Sequence, residues 1–312
     1  MTERVLVTGA GGYVGGRLVG ALSEAPGLSV RALVRRPAPW LVTDDVVVGD
    51  LVADDDVARL ACMGCDAVVH LAGPNEAVDP ADAEAAVTDT IVAARRVTAG
   101  AHAAGCRRIV YVSTVHVYGT AMVEGAVIDE ATVPAPVHDY AIARLAAEHT
   151  IRAHASEVDV VIVRLTNSVG APVHPTVARW TLVANDLCRQ AATTGQLSLK
   201  THGFQWRDFV AMTDVCRMLA GCLSTSISSG TYNLGSGEPT TIRTLAALVQ
   251  DAFEALTGDR PPLAVPPPPA QPPKPYVVAV DRLQAAGLSP TCSLASAVAE
   301  TAAFCLEHRH TL

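Results

Sequence analysis

The chain has 312 residues, half of them hydrophobic and only 17% charged, with a formal net charge of −8. That length suits one large α/β unit or two unequal domains with a sizeable core. The acidic balance argues against nucleic acid or an anionic membrane as partner, and no apolar run reaches the ~18 residues of a membrane span. With no basic-then-apolar leader before the first strand, the expectation is a cytoplasmic protein.

Val5-Leu6-Val7 reads as a buried strand, predicted over 4–8, and it stops at Thr8-Gly9-Ala10-Gly11-Gly12-Tyr13-Val14-Gly15. A strand, a glycine turn and an apolar helix in that order build an anion site, where backbone N–H groups and a helix N-terminus converge on a phosphate. Gly9 permits the tight turn, Gly12 lets a pyrophosphate approach the backbone, and Gly15 lets the helix pack against the strand. The expectation is dinucleotide binding, with the amides of Tyr13 and Val14 opening the helix.

Further strands are predicted over 29–34, 45–48, 67–71, 108–113 and 160–164, and helices over 13–24, 54–62, 82–104 and 139–155. The alternation implies a doubly wound parallel sheet of the Rossmann type. The second strand ends at Arg35-Arg36 where an acidic residue would bind a ribose 2′-hydroxyl; two arginines suit a 2′-phosphate and favour NADP(H) over NAD. Asp50 and Leu51 follow the third strand, where a carboxylate can meet the adenine amino group. Leu71, Ala72 and Gly73 close the fourth strand and leave room for the cofactor, and His70 reads as a packed core histidine. At the end of the fifth strand stands Ser113-Thr114-Val115-His116-Val117-Tyr118-Gly119, followed by Tyr140 and Arg144. Four apart on a helix, Tyr140 and Arg144 share a face, and a phenol held near a cation loses its proton more readily. With the Thr114 hydroxyl they form a candidate proton-transfer site.

In the second half, 176–194 reads as a helix, 203–215 as a loop feeding a short strand and helix, and Thr240 as the start of another helix capped by Thr240 or Thr241. Pro261 to Pro275 holds nine prolines in fifteen residues. It is expected to run extended and to rejoin the body at Tyr276-Val277-Val278. A last helix is predicted over 294–307. The eight cysteines, including the pair Cys62 and Cys65, read as reduced core residues, and no metal motif occurs.

In this order the motifs resemble the extended short-chain dehydrogenase/reductases, in the NAD-dependent epimerase/dehydratase branch that acts on nucleotide-diphosphate sugars. T-G-x-x-G-x-x-G is residues 8–15. His70-Leu71-Ala72, the S-T-x-x-V-Y-G segment, Val163-Arg164-Leu165-Thr166-Asn167, Arg207-Asp208-Phe209-Val210 and Tyr232-Asn233-Leu234-Gly235 follow. The resemblance implies a dinucleotide-binding domain over 1–165, to which some later strands and helices return, and a substrate-binding region over 166–312. It makes Tyr140 the acid/base beside NAD(P), with Thr114 polarising the sugar oxygen. Leu165 and Thr166 would line the nicotinamide pocket, Asn167 and Arg207 would meet the sugar diphosphate, His116 would belong to the substrate-binding residues, and Arg144 would support Tyr140. An ion pair with Asp208 is the structural alternative for Arg207. Three departures stand out: Arg144 replaces the family's lysine, Thr90 replaces an asparagine, and Lys274 is the nearest cation to an arginine absent from the proline run. The implied activity is C4 epimerisation through a transient keto sugar, with an NADPH-dependent 4-ketoreductase and a non-catalytic dinucleotide-binding sensor or scaffold as alternatives. The Ala-rich helices 82–104 and 139–155 are expected to pair across a two-fold axis in a homodimer.

Overall fold

The computed structural model describes residues 2–76, 80–155, 158–177 and 179–312. The strands are β1 Glu3–Thr8, β2 Leu28–Val34, β3 Val46–Val48, β4 Ala67–His70, β5 Arg108–Thr114, β6 Val127–Ile128, β7 Asp159–Leu165, β8 Asn167–Val169, β9 Leu197–Ser198, β10 Trp206–Ala211, β11 Gly230–Leu234, β12 Pro239–Thr241, β13 Leu263–Ala264 and β14 Val277–Val278. The helices are α1 Tyr13–Ser23, α2 Val57–Cys62, α3 Ala83–Ala103, α4 Asp139–His154, α5 Val183–Thr194, α6 Met212–Gly221, α7 Ile242–Thr257, α8 Asp281–Ala285 and α9 Leu294–Glu307.

Seven parallel strands form the main sheet in the order β11-β7-β5-β4-β1-β2-β3. Its central strands are buried on both faces because side chains alternate between two helical layers, while the edge strand β3 leaves Val46 and Val48 exposed. Val5 and Val7 point into a core shared with α1 and α6, and Leu6 into one shared with α2, α3 and α4. A third core joins β8 and β10 to α5, α7 and α9. The strand order reverses beside β1, so β2 lies on one side and β4 on the other. That is the switch point where a crevice opens beyond the carboxyl ends of the strands. In register, Thr8 pairs with His70, His70 with Tyr111, and Thr114 with Leu165, which puts the glycine turn and the Thr114 segment on one rim.

Three predicted helices are corrected. The helix expected over 176–194 begins only at Val183. Ahead of it, residues 170–177 and 179–182 form no helix, and Gly170 accepts a hydrogen bond from Tyr13 and Ala171 one from Arg17 of α1. The helix expected from 54 begins at Val57, since Asp50 and Asp54 hold turns there: Oδ1 of Asp50 accepts from Val52 N–H and Oδ1 of Asp54 from Asp56 N–H. Thr240 lies in β12, paired antiparallel with β10, and Thr241 is the cap of α7, accepting from Thr244 N–H at 3.0 Å. The proline run is extended. It touches β9 through β13, gives the Pro273 carbonyl to the Trp206 indole at 2.7 Å, and returns as β14 beside β6. All eight cysteines are free thiols, and no group among the described residues could hold a metal. No described helix is long and apolar enough to cross a membrane.

Candidate active site

The glycine turn is closed by backbone contacts that only glycine permits. Gly9 has φ +69°, and a Cβ there would lie 2.9 Å from the Ala72 nitrogen. A Cβ at Gly15 would collide with the Gly9 carbonyl, and one at Gly12 would come within 3.1 Å of the same oxygen. No side chain caps α1, so the amides of its first turn, from Tyr13 onward, are free to meet an anion. The cradle therefore fits a dinucleotide pyrophosphate. The Tyr13 side chain takes no part in it: the phenol is buried and donates to the Gly170 carbonyl at 2.6 Å, tying α1 to the second half of the chain.

Around this turn the predicted cofactor residues fall into two groups. Leu71, Ala72 and Gly73 run along the rim beside Gly9, and Leu165 ends β7 next to β5. Arg35 and Arg36 are exposed just beyond β2 and make no hydrogen bond or ion pair among the described residues. By contrast, Asp50 spends Oδ1 on its own turn, Leu51 is buried, and the Thr166 hydroxyl donates to Asp208 at 2.8 Å. His70 is a core histidine: Oγ1 of Thr8 accepts from Leu71 and Ala72 N–H and bonds Nδ1 of the ring at 2.7 Å. Burial, helped by the Arg144 charge, pushes His70 down to about 3.

Tyr140 stands in the first turn of α4, whose cap is the His138 side chain, Nδ1 accepting from Ala141 N–H at 3.3 Å. The ring has two close neighbours. His138 stacks at 6.1 Å with 13° between planes, and the Arg144 guanidinium carbon lies 5.3 Å from the ring centre. Arg144 is 6% exposed. It donates to the Pro74 carbonyl at 3.2 Å, with longer contacts to the Tyr111 hydroxyl at 3.4 Å and the Val112 carbonyl at 3.5 Å. Burial works against its charge, but Tyr111 and Tyr140 hold its pKa above the ordinary value, so it stays a cation. Gly73 makes room for the guanidinium: at φ +150° its missing Cβ would fall 3.3 Å from Nη2. Thr114 ends β5 and accepts from His116 N–H at 3.2 Å. Thr90, where the family has asparagine, is buried and bonds the Ala86 carbonyl of its own helix.

Beyond Thr114 lies a cavity of about 230 Å³ lined by Val115, His116, Gly119, Met122, Asn167, Arg207 and Tyr276. Arg207 does not pair with Asp208. That carboxylate is 3% exposed and accepts from Thr166, from the amides of Ser236 and Gly237 and from the Ser236 hydroxyl, while burial raises its pKa. Arg207 donates one bond to the Trp206 carbonyl and otherwise faces the cavity. The Asn167 amide nitrogen donates to the Asp208 carbonyl, which leaves its oxygen for a ligand. Burial, His138 and Arg207 all lower the His116 pKa, so its imidazole is neutral at pH 7. Motif reading missed His138 and Tyr276: neither belongs to a spacing pattern, and Tyr276 reaches the cavity only because the proline run delivers it. A second, more open hollow, lined by Arg152, Val160 and Gly230 among others, lies at the amino ends of β7 and β11, away from this chemistry.

The family model of the NAD-dependent epimerases/dehydratases matches residues 5–235. Among curated proteins the chain is similar to the dTDP-6-deoxy-L-talose 4-dehydrogenase (NAD(P)(+)) of Kitasatospora kifunensis, 34% identical over 79% of this chain and 78% of the relative. It is also similar to the GDP-6-deoxy-D-mannose reductase of Pseudomonas aeruginosa, 27% identical over 80% of each chain. Among solved structures, MoeE5 in complex with UDP-glucose and NAD superposes with a TM-score of 0.80 at 26% identity, over 97% of this chain and 98% of the other.

Proposed function

The chain belongs to the NAD-dependent epimerase/dehydratase family, and we propose that within it the protein is an NADP(H)-using C4 dehydrogenase/ketoreductase of a nucleotide-diphosphate hexose. The observation that carries this reading is Tyr140, held in the first turn of α4 beside His138 and the buried cation Arg144, which reaches the 73–74 turn at the rim. Gly9, Gly12 and Gly15 with the first amides of α1 hold the pyrophosphate. Arg35 and Arg36, free beyond β2, meet a 2′-phosphate. The nicotinamide, when bound, supplies the hydride acceptor or donor. Thr114 donates a hydrogen bond to the sugar O4, and Tyr140 removes the O4 proton on oxidation or returns it on reduction. Arg144 opposes the negative charge that grows on the phenolic oxygen as the proton moves. Arg207 pairs with the diphosphate and Asn167 orients it, in keeping with 166–312 as mainly the substrate side and 1–165, with β11 and α6 returning to it, as the dinucleotide side.

The test is to incubate the purified protein with UDP-, dTDP- and GDP-linked 4-keto and 4-hydroxy hexoses and to follow the dinucleotide absorbance. Stoichiometric oxidation of added NADPH supports the proposal. Absence of turnover with every carrier and both dinucleotides would refute it. A second reading, C4 epimerisation, uses the same proton carrier, and similarity to the UDP-glucose 4-epimerase of Azospirillum brasilense, 27% identical over 84% of this chain and 82% of the relative, favours it. It predicts that dinucleotide survives dialysis on the protein and that the sugar inverts with no added reductant. Assembly as a homodimer through α3 and α4 is proposed as well: the two helices pack on one face of the sheet, and Ile142 stands 45% exposed on α4. A monomer in sedimentation at micromolar concentration would overturn it.

A further inference from the structure

Two stretches of chain wall the crevice around the glycine turn. Residues 35–45 follow β2, where a Cβ on Gly11 would meet Ala38 at 3.8 Å, and residues 71–76 follow β4, where Ala72 backs Gly9. β2 and β4 lie on opposite sides of β1 in the sheet, so these stretches stand on either side of the switch point.

Residues 170–177 and 179–182, which follow β8, are fastened to α1 and to both walls. On α1, the Gly170 and Ala171 carbonyls accept from Tyr13 and Arg17, and Val173 fills the space that a Cβ on Gly16 would need. On the β2 wall, His174 stacks on Trp40 with ring centres 4.6 Å apart and 10° between planes. On the β4 wall, Arg179 donates to Glu76 at 2.6 Å. His174 and Arg179, five residues apart, thus hold opposite walls. Two strand spacings are about 10 Å, a distance that five residues of chain can bridge.

The fastenings differ in kind. The Tyr13 bond is buried, and Tyr13 also donates to Asn185 of α5 at 3.3 Å. Arg179 is the one Lys, Arg, Asp or Glu between residues 170 and 182, and its partner carboxylate is 36% exposed. Burial works to raise the Glu76 pKa, but the hydrogen bond and charge of Arg179 outweigh it and hold the carboxyl below its ordinary value, so the pair is ionised at pH 7. The same carboxylate and the His116 imidazole each shift the other's protonation, which places the pair where the crevice meets the substrate cavity.

We propose that residues 170–177 and 179–182 are a clasp across the dinucleotide crevice, hinged on α1 and latched by Glu76 and Arg179, and that opening this latch sets the rate at which the dinucleotide leaves. The inference needs the dinucleotide cradle and no particular sugar. A reductase exchanges its dinucleotide at every turnover, so the opening step lies on its cycle. A partly exposed ion pair holds such a latch lightly, by about 2–5-fold in a rate.

The experiment loads the protein with NADPH, displaces it with excess NADP+ in a stopped-flow instrument, and follows the fall in bound NADPH fluorescence. Arg179→Gln and Glu76→Gln are each expected to speed release by about 2–5-fold, and the double variant to be no faster than either single one. Raising NaCl from about 0.05 to about 0.5 M is expected to speed release from the wild type and to leave the two glutamine variants nearly unchanged. His174→Ala, which frees the opposite wall, is expected to speed release and to keep the wild-type response to salt. The exchanged pair Glu76→Arg/Arg179→Glu is expected to bring release back toward the wild-type rate. Wild-type release in both glutamine variants, or additive effects in the double variant, overturns the latch and leaves the cradle standing. A folded protein that takes up neither NADPH nor NADH overturns the cradle itself.

Discussion

Breaking the buried ion pair behind the catalytic rim should unfold the protein more readily than any surface change. Glu148 of α4 is fully buried, and Oε1 accepts from Ser113 Oγ at 2.5 Å and from Arg164 Nε at 3.1 Å, while Oε2 accepts from Arg164 Nη2 at 2.8 Å. Arg164, 4% exposed, lies with its guanidinium 4.8 Å from the centre of the Tyr118 ring, whose hydroxyl donates to Asn233 of β11. Glu148→Ala leaves that guanidinium in the core with no counter-charge, which costs about 3–5 kcal/mol. Glu148→Gln keeps the shape and one acceptor but loses the charge, and is expected to cost about 1.5–3 kcal/mol. Arg164→Met alone orphans the carboxylate and should cost as much as Glu148→Ala. The double variant Glu148→Ala/Arg164→Met carries no orphaned charge, so its loss should be well below the sum of the two single losses. Urea unfolding followed by circular dichroism, with unchanged m-values, measures all four proteins. A Glu148→Ala cost under about 1 kcal/mol, or simple additivity in the double variant, would show that the pair is not the buried unit described here. Ser113 precedes Thr114, and Glu148 lies two turns along the helix from Tyr140. The same lesion is therefore expected to lower turnover in the folded fraction.

Four further outcomes follow from named contacts. Tyr140→Phe should cut sugar turnover by about 10²–10⁴-fold while dinucleotide titration is unaffected; unchanged turnover would remove the phenol from the chemistry. Gly15→Ala forces a methyl into the Gly9 carbonyl and should abolish dinucleotide binding, detected by loss of ligand-induced thermal stabilisation. Replacing Arg35 and Arg36 by serine should weaken NADPH by about 10–100-fold and leave NADH unchanged, by fluorescence titration; equal effects on both would mean the arginines do not read the phosphate. His70 is held neutral down to about 3 against an ordinary 6.5, so between those values the unfolded chain carries a proton the folded chain does not. Stability should fall as pH falls through that window, by up to about 1.4 kcal/mol per pH unit, and His70→Gln should remove that share of the slope in denaturant midpoints.

Where local pattern and tertiary packing agree, the fold is readable from residues alone. The last helix was expected over 294–307 and is Leu294–Glu307, because Ser293 supplies a side-chain cap to Ser296 N–H and an Ala-rich stretch follows. The six parallel strands predicted up to residue 164 fall within a residue of their expected ends, since a doubly wound sheet needs short continuous apolar runs. Residues 176–177 and 179–182 show the opposite case. Thr176 bonds His174, Arg179 reaches Glu76 at 2.6 Å across the rim, and its carbonyl accepts from Asn185. The long-range pair with Glu76, together with these two short-range bonds, overrides the local helical tendency. Tyr13 is similar: its position marks the start of a helix, but only the path of 170–171 explains why its hydroxyl turns inward.

Arg144 shows how a departure visible in sequence can have its compensation elsewhere. Arginine in place of lysine puts a longer, planar cation beside the phenol, with a head group that does not match a lysine's contacts to the cofactor's ribose. The guanidinium instead lies back against the turn at 73–74, bonded to the Pro74 carbonyl, in space that exists because Gly73 has no side chain and adopts φ +150°. Any other residue at 73 would need both a strained backbone and a shift of the guanidinium, so glycine there and arginine at 144 form one unit. Seventy residues separate them in the chain, and neither a motif nor a periodicity links the two. The link is steric, and only the parallel pairing of β4 with β5, which brings the 73–74 turn over α4, makes it physical.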